Sequence, residues 1–202
     1  MAKAEELFGD DILFIPDNDQ KKAANSDWKR PLQQGEYFAH IKDVELRDVS
    51  FKGFKATVYN YWIQVAKETK SVNFTFRDEN YTGEEYVGRN IKGLGVFKFL
   101  SPKEGDDFEA NPSGNDKYLM FCKSIGAEIK KEEREIDGKK VNVEIMPSLS
   151  EEDVVGKPVI AIVDKGKPYT NKQGKEISPW QVKFVKQWDE GEVRDFSQEI
   201  PF

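Results

Sequence analysis

Between Gly35 and Trp188 the apolar residues recur mostly with a period of two, and turn residues interrupt them at short intervals. That pattern demands strands with one buried face rather than helices. Tyr37, Ala39 and Ile41 alternate with Phe38, His40 and Lys42. Val44 and Leu46 then continue the alternation with its phase shifted. A shift of phase predicts a bulge or bend, as in a strand curving round a small barrel. Ser50-Phe51-Lys52-Gly53 reads as a turn, and Thr57–Ala66 as a second strand. Lys67–Lys70 turns the chain into a third, where Val72, Phe74 and Phe76 alternate.

Glycine-rich text follows, with Gly83, Gly88, Gly93 and Gly95 set among aromatics, and 101–114 reads as loop. Asn115 is placed to cap a helix running to about Ile125, with Gly126 as its stop. Ile136–Lys139 is a hairpin turn and Val159–Val163 an apolar strand. Asn171–Gly174 is a second turn. Trp180–Trp188 is the last strand, with Trp180, Val182 and Phe184 on one face. The expected fold is mainly β. The order of elements is that of an OB-like five-stranded barrel with one helix between strands 3 and 4.

Composition narrows the function. The 202 residues carry a net charge of −6, and the charge is uneven. Residues 189–202 hold five acids and one base, and residues 1–30 hold seven acids and five bases. The span 31–188 is therefore neutral. This predicts an N-terminal extension over 1–30, a domain over 31–188 and an acidic C-terminal tail over 189–202. A globally basic nucleic-acid binder is excluded, whereas a local basic groove on a neutral body is not. In the extension, Leu7, Phe8 and Ile12–Ile15 form an apolar cluster ended by Pro16. It reads as an arm packed on the domain or as a partner or homodimer contact. Cys122 and His40 are each single, which leaves no internal disulfide and no Cys/His zinc site within one chain. No apolar run reaches membrane-spanning length and the N-terminus is not a signal peptide, so a cytoplasmic protein is expected.

The last eight residues carry a specific motif. Asp195-Phe196-x-x-x-Ile200-Pro201-Phe202 resembles the C-terminal tip of bacterial single-stranded DNA-binding proteins, with Ser197 and Gln198 in place of two of the tip's three acids. The resemblance implies docking on replication proteins such as a polymerase, primase or helicase. Asp195, Phe196, Glu199, Ile200, Pro201 and Phe202 would be the contacts. The chemistry is legible: an aromatic ring fills an apolar pocket, its α-carboxylate pairs with Arg or Lys, and proline restricts the backbone before binding. Tyr37–Trp188 resembles a phage-encoded family of replication-module proteins regarded as OB-like single-stranded DNA binders. The likeness rests on Gly35-Glu36-Tyr37, Lys117-Tyr118-Leu119 through Ala127, Val155–Val159, the Asn171–Gly174 turn and Val182–Val185.

Sequence-independent binding of a single strand needs aromatic faces for bases and cations for phosphates. Aromatics make up 12% of the chain, enough to supply both a core and a stacking surface. The polar faces of the expected strands offer Phe38, Lys42, Trp62, Arg77 and Lys183. The loops add Lys55, Lys167, Tyr169, Lys172 and Lys175. Fourteen residues follow Trp188, a reach of up to about 46–50 Å, so the acidic tail is also expected to compete for a basic groove.

No enzyme is expected, and no cofactor or metal. Gly88-x-x-x-x-Gly93 is followed by Leu94, so the phosphate-loop pattern fails. Asp17 and Glu68-x-Lys70 offer only a superficial metal-nuclease set. The expected role is protection of replication or recombination intermediates. The alternatives are an annealing or recombination mediator, a protein adaptor without DNA binding, and, least favoured, a metal-dependent nuclease.

Overall fold

The computed structural model describes residues 30–51, 54–102, 108–110, 114–136 and 138–196. Strand β1 (Gly35–Phe51) is the spine of a mainly β, antiparallel structure. Its first half pairs with β10 (Pro158–Lys165), from Gly35↔Val163 to His40↔Pro158. It pairs with β2 (Phe54–Val65) from Ala39↔Val65 onward. The register shifts between Ile41 and Asp43, which is the bulge that the phase shift predicts. Before it Tyr37, Ala39 and Ile41 are buried; after it Val44 is. One extra residue thus keeps both halves of a long bent strand facing one core.

The strand beside β2 differs from the expectation. Residues 73–76 form β3, which pairs only with β4 (Glu79–Thr82) in a separate two-stranded sheet. The third position of the main sheet belongs to β5 (Asn90–Lys92) and β6 (Val96–Pro102), inside the glycine-rich text. Here glycine marks close approach rather than loop. A Cβ on Gly93 would lie 2.3 Å from the Tyr61 ring. Strand β7 (Phe108–Ala110) extends this edge, and β13 (Trp180–Gln187) lies beyond β10. The order is β13-β10-β1-β2-β6-β7, with β5 also on β2. A parallel bridge between Gly93 and Val182, with Leu94 N donating to Val182 O at 2.9 Å, brings β13 beside β5.

Helix α1 (Asp116–Ser124) follows β7, as expected from Asn115 and Gly126. Asn115 is its N-cap residue, yet its side chain makes no cap bond. Its amide instead accepts from Phe99 N at 2.8 Å and donates to Phe99 O at 2.9 Å, tying the helix start to β6. The expected hairpin at 136–139 is β8 (Lys130–Ile136) with β9 (Lys139–Ile145). A short helix α2 (Glu151–Val154), closed by a Ser150/Asp153 capping box, leads into β10. The Asn171–Gly174 turn joins β11 (Tyr169–Thr170) to β12 (Glu176–Ile177).

The core is unusually phenolic: Tyr37, Tyr59, Tyr61, Tyr86 and Tyr118 are all fully buried. Burial of a hydroxyl is tolerable only when it is bonded. Tyr118 donates to Pro147 O at 2.7 Å and Tyr59 to Leu149 O at 3.2 Å, which fastens the segment after β9 over α1 and β2. Tyr37 donates to Gln33 O at 2.8 Å. Burial pushes the Tyr118 and Tyr59 hydroxyls above the usual tyrosine range.

Candidate nucleic-acid interface

The sheet's second face carries an aromatic groove. On β6 the alternation sends Val96 and Lys98 toward the core, with the Lys98 Nζ 5.7 Å from the Tyr118 ring centre. Phe97 and Phe99 therefore share the other face, opposite Val58 and Ala56 of β2. Their rings stack at 5.6 Å and 12°. Val58 and Ala56 are buried although they stand outside the central core cluster, as residues roofed by those rings should be.

Facing this pair are Met120 and Lys117 from α1, Lys183 and Phe184 from β13, and Leu94 from the β5–β6 link; they enclose a groove of about 720 Å³. Phe97 is 41% exposed, Phe184 47% and Met120 58%, values that set them apart from the core aromatics. Phe184 overturns the expectation that Trp180, Val182 and Phe184 share a face. The β10–β13 register shifts between Ile162 and Val163, so Val182 and Val185 are both buried and Phe184 turns outward.

The sequence-derived site residues divide into three groups. Trp62 and Lys183 belong to the grooved side. Trp62 is half-buried opposite Lys92, whose ammonium lies 5.3 Å from its ring. Lys92 in turn precedes Gly93, the bridge partner of Val182. Lys55, Lys167, Tyr169, Lys172 and Lys175 are exposed at or near the strand ends. Tyr169 is 53% exposed beside the β11–β12 turn. Arg77 leaves the main sheet altogether. It sits in the β3–β4 turn at φ 50°, its guanidinium 5.2 Å from the Phe76 ring.

Phe38 and Lys42 face a different neighbour, the chain's own C-terminal segment. Phe38 lies 5.0 Å from the Trp188 ring and the Lys42 ammonium 5.9 Å from the Phe196 ring. The segment 188–196 is attached rather than a tail from Trp188 onward. Arg194 N donates to Gly156 O at 2.9 Å, and Glu192 O bonds His40 Nε2 at 3.0 Å. A Cβ on Gly191 would strike Pro158 and the Trp188 ring, so glycine lets the segment close down. The Phe196 ring lies 4.8 Å from the Arg194 guanidinium and 6.5 Å from the His40 ring. Of the C-terminal motif, Asp195 and Phe196 are placed; Glu199, Ile200, Pro201 and Phe202 lie outside the described residues, as does the extension through residue 29.

Burial holds the His40 imidazole below the usual histidine range, and the nearby Arg194 charge pushes the same way. Cys122 is buried and its thiol is pushed up to about 11, so it stays protonated and inert. Among the described residues no group of three or more His, Cys, Asp or Glu is arranged to hold a metal ion, and no helix is long and apolar enough to cross a membrane.

Sequence reasoning missed Phe97, Phe99, Leu94, Lys92, Lys117 and Met120. The available signal was the alternation Val96-Phe97-Lys98-Phe99, hidden by the glycines before it. The chain matches no family model, no curated protein and no solved structure.

Proposed function

We propose that the chain binds single-stranded DNA without sequence preference, on an OB-like barrel, and protects replication or recombination intermediates. The barrel reading is supported by the succession β1, β2, β5–β6, α1, β10, β13 and by the Gly93–Val182 bridge, which sets the link between β5 and β6 against the end strand β13. That is the pairing a five-stranded Greek-key barrel requires. The observation that carries the DNA reading is the exposed aromatic groove. Phe97, Phe99 and Phe184 offer ring faces for bases, while Lys117 and Lys183 stand where phosphates would pass. Trp62 with Lys92 extends the same chemistry along the face.

Residues 195–202 are, on this proposal, a docking peptide for replication proteins, and the setting is a host-cell cytoplasm. No catalytic step is assigned. The experiment is a titration of labelled oligonucleotides of several lengths, single- and double-stranded, with and without magnesium. Length-dependent binding to single strands without cleavage is expected. Equal affinity for duplex, or no binding to either, overturns the reading.

A further inference from the structure

We infer that two copies of this chain join through the outer edge of β9, which pairs antiparallel with its own counterpart about Asn142. Strands β8 and β9 form a two-stranded sheet of their own, and among the described residues no third strand lies on either edge. A lone hairpin gains little stability in water, and an open edge offers unpaired N–H and C=O groups to another strand. Ile136 and Lys139 flank a two-residue link in which Gly138 has φ 73°. The flanking pair of such a hairpin is hydrogen-bonded, and hydrogen-bonded pairs alternate along the ladder. Arg134↔Val141 and Glu132↔Val143 therefore turn their backbone groups inward, while Lys140, Asn142 and Glu144 turn theirs outward. All three of the latter are exposed. Val141, on the opposite face, is 43% exposed, and neither it nor Val143 belongs to the core.

The side chains choose the occupant. A two-fold axis through Asn142 sets Lys140 opposite Glu144 of the second copy, Val141 opposite Val143, and Asn142 opposite its own counterpart. Each match occurs twice, with opposite charges paired on one face, valines on the other, and two amides able to bond each other at the centre. An axis through Val141 would instead set Lys140 opposite Asn142, and one through Val143 would set Asn142 opposite Glu144; either shift loses the charge pairs. Lys140 already holds Glu133 at 2.8 Å and Glu144 holds Lys123 at 3.2 Å. Pairing therefore completes a row of alternating sign, Lys123–Glu144–Lys140–Glu133, that crosses from one copy to the other. The edge of β8 matches itself less well. Its outward residues are Lys131, Glu133 and Glu135, and the axis that pairs Lys131 with Glu135 sets two Glu133 carboxylates directly opposite each other. No nucleic acid enters the pairing, so it holds or fails apart from the DNA reading.

Sedimentation velocity of the full chain between about 5 and 300 µM tests this; a reversible dimer with Kd of about 1–100 µM is expected, weak because one short strand edge is a small interface. Lys140→Glu and Glu144→Lys each set like charges opposite one another at both pairs, and each should weaken the dimer at least about tenfold. Mixed in equal amounts, the two variants bring opposite charges together again at both pairs, and the mixture should return to within about threefold of the original Kd. Asn142→Pro removes one outward N–H without touching a β8–β9 bond and should also give a monomer, with the amide spectrum reporting that the hairpin is intact. A chain that stays monomeric across the whole range overturns the inference. A dimer that Lys140→Glu and Asn142→Pro leave intact overturns it too, by placing the contact elsewhere, as do two charge variants that remain apart when mixed.

Discussion

Asn115 shows how much one side chain can organise. Phe99 sits where β6 has no strand on its outer edge, because β7 pairs only Leu100 to Pro102. The Asn115 amide supplies the missing strand edge with one donor and one acceptor. Asn115→Ala leaves both Phe99 backbone groups unanswered and should cost about 1–3 kcal/mol, measured as a lowered urea midpoint. An unchanged midpoint would show that water replaces the amide without loss. His40 gives a second prediction at this scale. Burial under the 188–196 segment favours its neutral form, so its folded pKa lies below 6.5. The stability this neutral histidine allows is fully present above pH 6.5 and is lost as pH falls below it toward the folded value, because the unfolded chain takes up the proton first. Truncation after Gln187 should raise the imidazole pKa toward 6.5 by NMR titration, and an unmoved value would mean that the segment does not shield it.

At the scale of elements, the first strand, the helix and the last two sheet strands were legible in the sequence. Each carries its own local signal: alternation, caps, or an apolar run between turns. Even the β1 bulge was readable, because one extra residue inverts the pattern in place. What misled was glycine. Gly93 and Gly95 resemble a connector in sequence, yet they allow β5 and β6 to crowd Tyr61 and Asn60 of β2. Val72, Phe74 and Phe76 alternate as well as any strand, but Val72 ends the preceding 3-10 turn and Phe74 and Phe76 belong to the small β3–β4 hairpin. Strand identity could be read locally, while the choice of pairing partner depends on contacts far apart in the chain. The same error hid the groove, since Phe97 and Phe99 lie on the strand that went unrecognised. Phe184 was hidden by a register shift visible only in the β10–β13 pairing. Phe97→Ala should weaken single-strand affinity by about 1–3 kcal/mol, the range for one base stack, and also lower the thermal midpoint because it uncovers Val58, so affinity is compared at a temperature where the variant is folded. Trp62→Ala should weaken it as well. A folded Phe97→Ala variant with full affinity would remove β6 from the interface.

For the whole molecule, a neutral body whose groove carries Lys117 and Lys183 beside Asp116 implies, on the proposed function, binding that salt opposes only moderately. Each phosphate contact contributes about −0.7 to the slope of log affinity against log salt. Lys117→Ala and Lys183→Ala should each flatten that slope by about this amount, and identical slopes would place the phosphates elsewhere. The acidic C-terminal stretch predicts the opposite sign for its removal. Deleting 195–202 should raise affinity for single strands at low salt, and equal affinity would end the idea that it competes for the groove.

If residues 195–202 dock a partner as proposed, attachment of the C-terminal segment changes the geometry of recruitment. A tether counted from Trp188 is fourteen residues long; counted from Phe196, beside Lys42 and Arg194, it is six. Six residues reach no farther than about 20–22 Å. Any protein that grips Ile200-Pro201-Phe202 is thereby confined to a small sphere around one edge of the domain. Contacts too weak to form between separate molecules become intramolecular there, at millimolar effective concentration. The attached segment would thus act as a locating pin, deciding which surface of the domain a captured partner meets first.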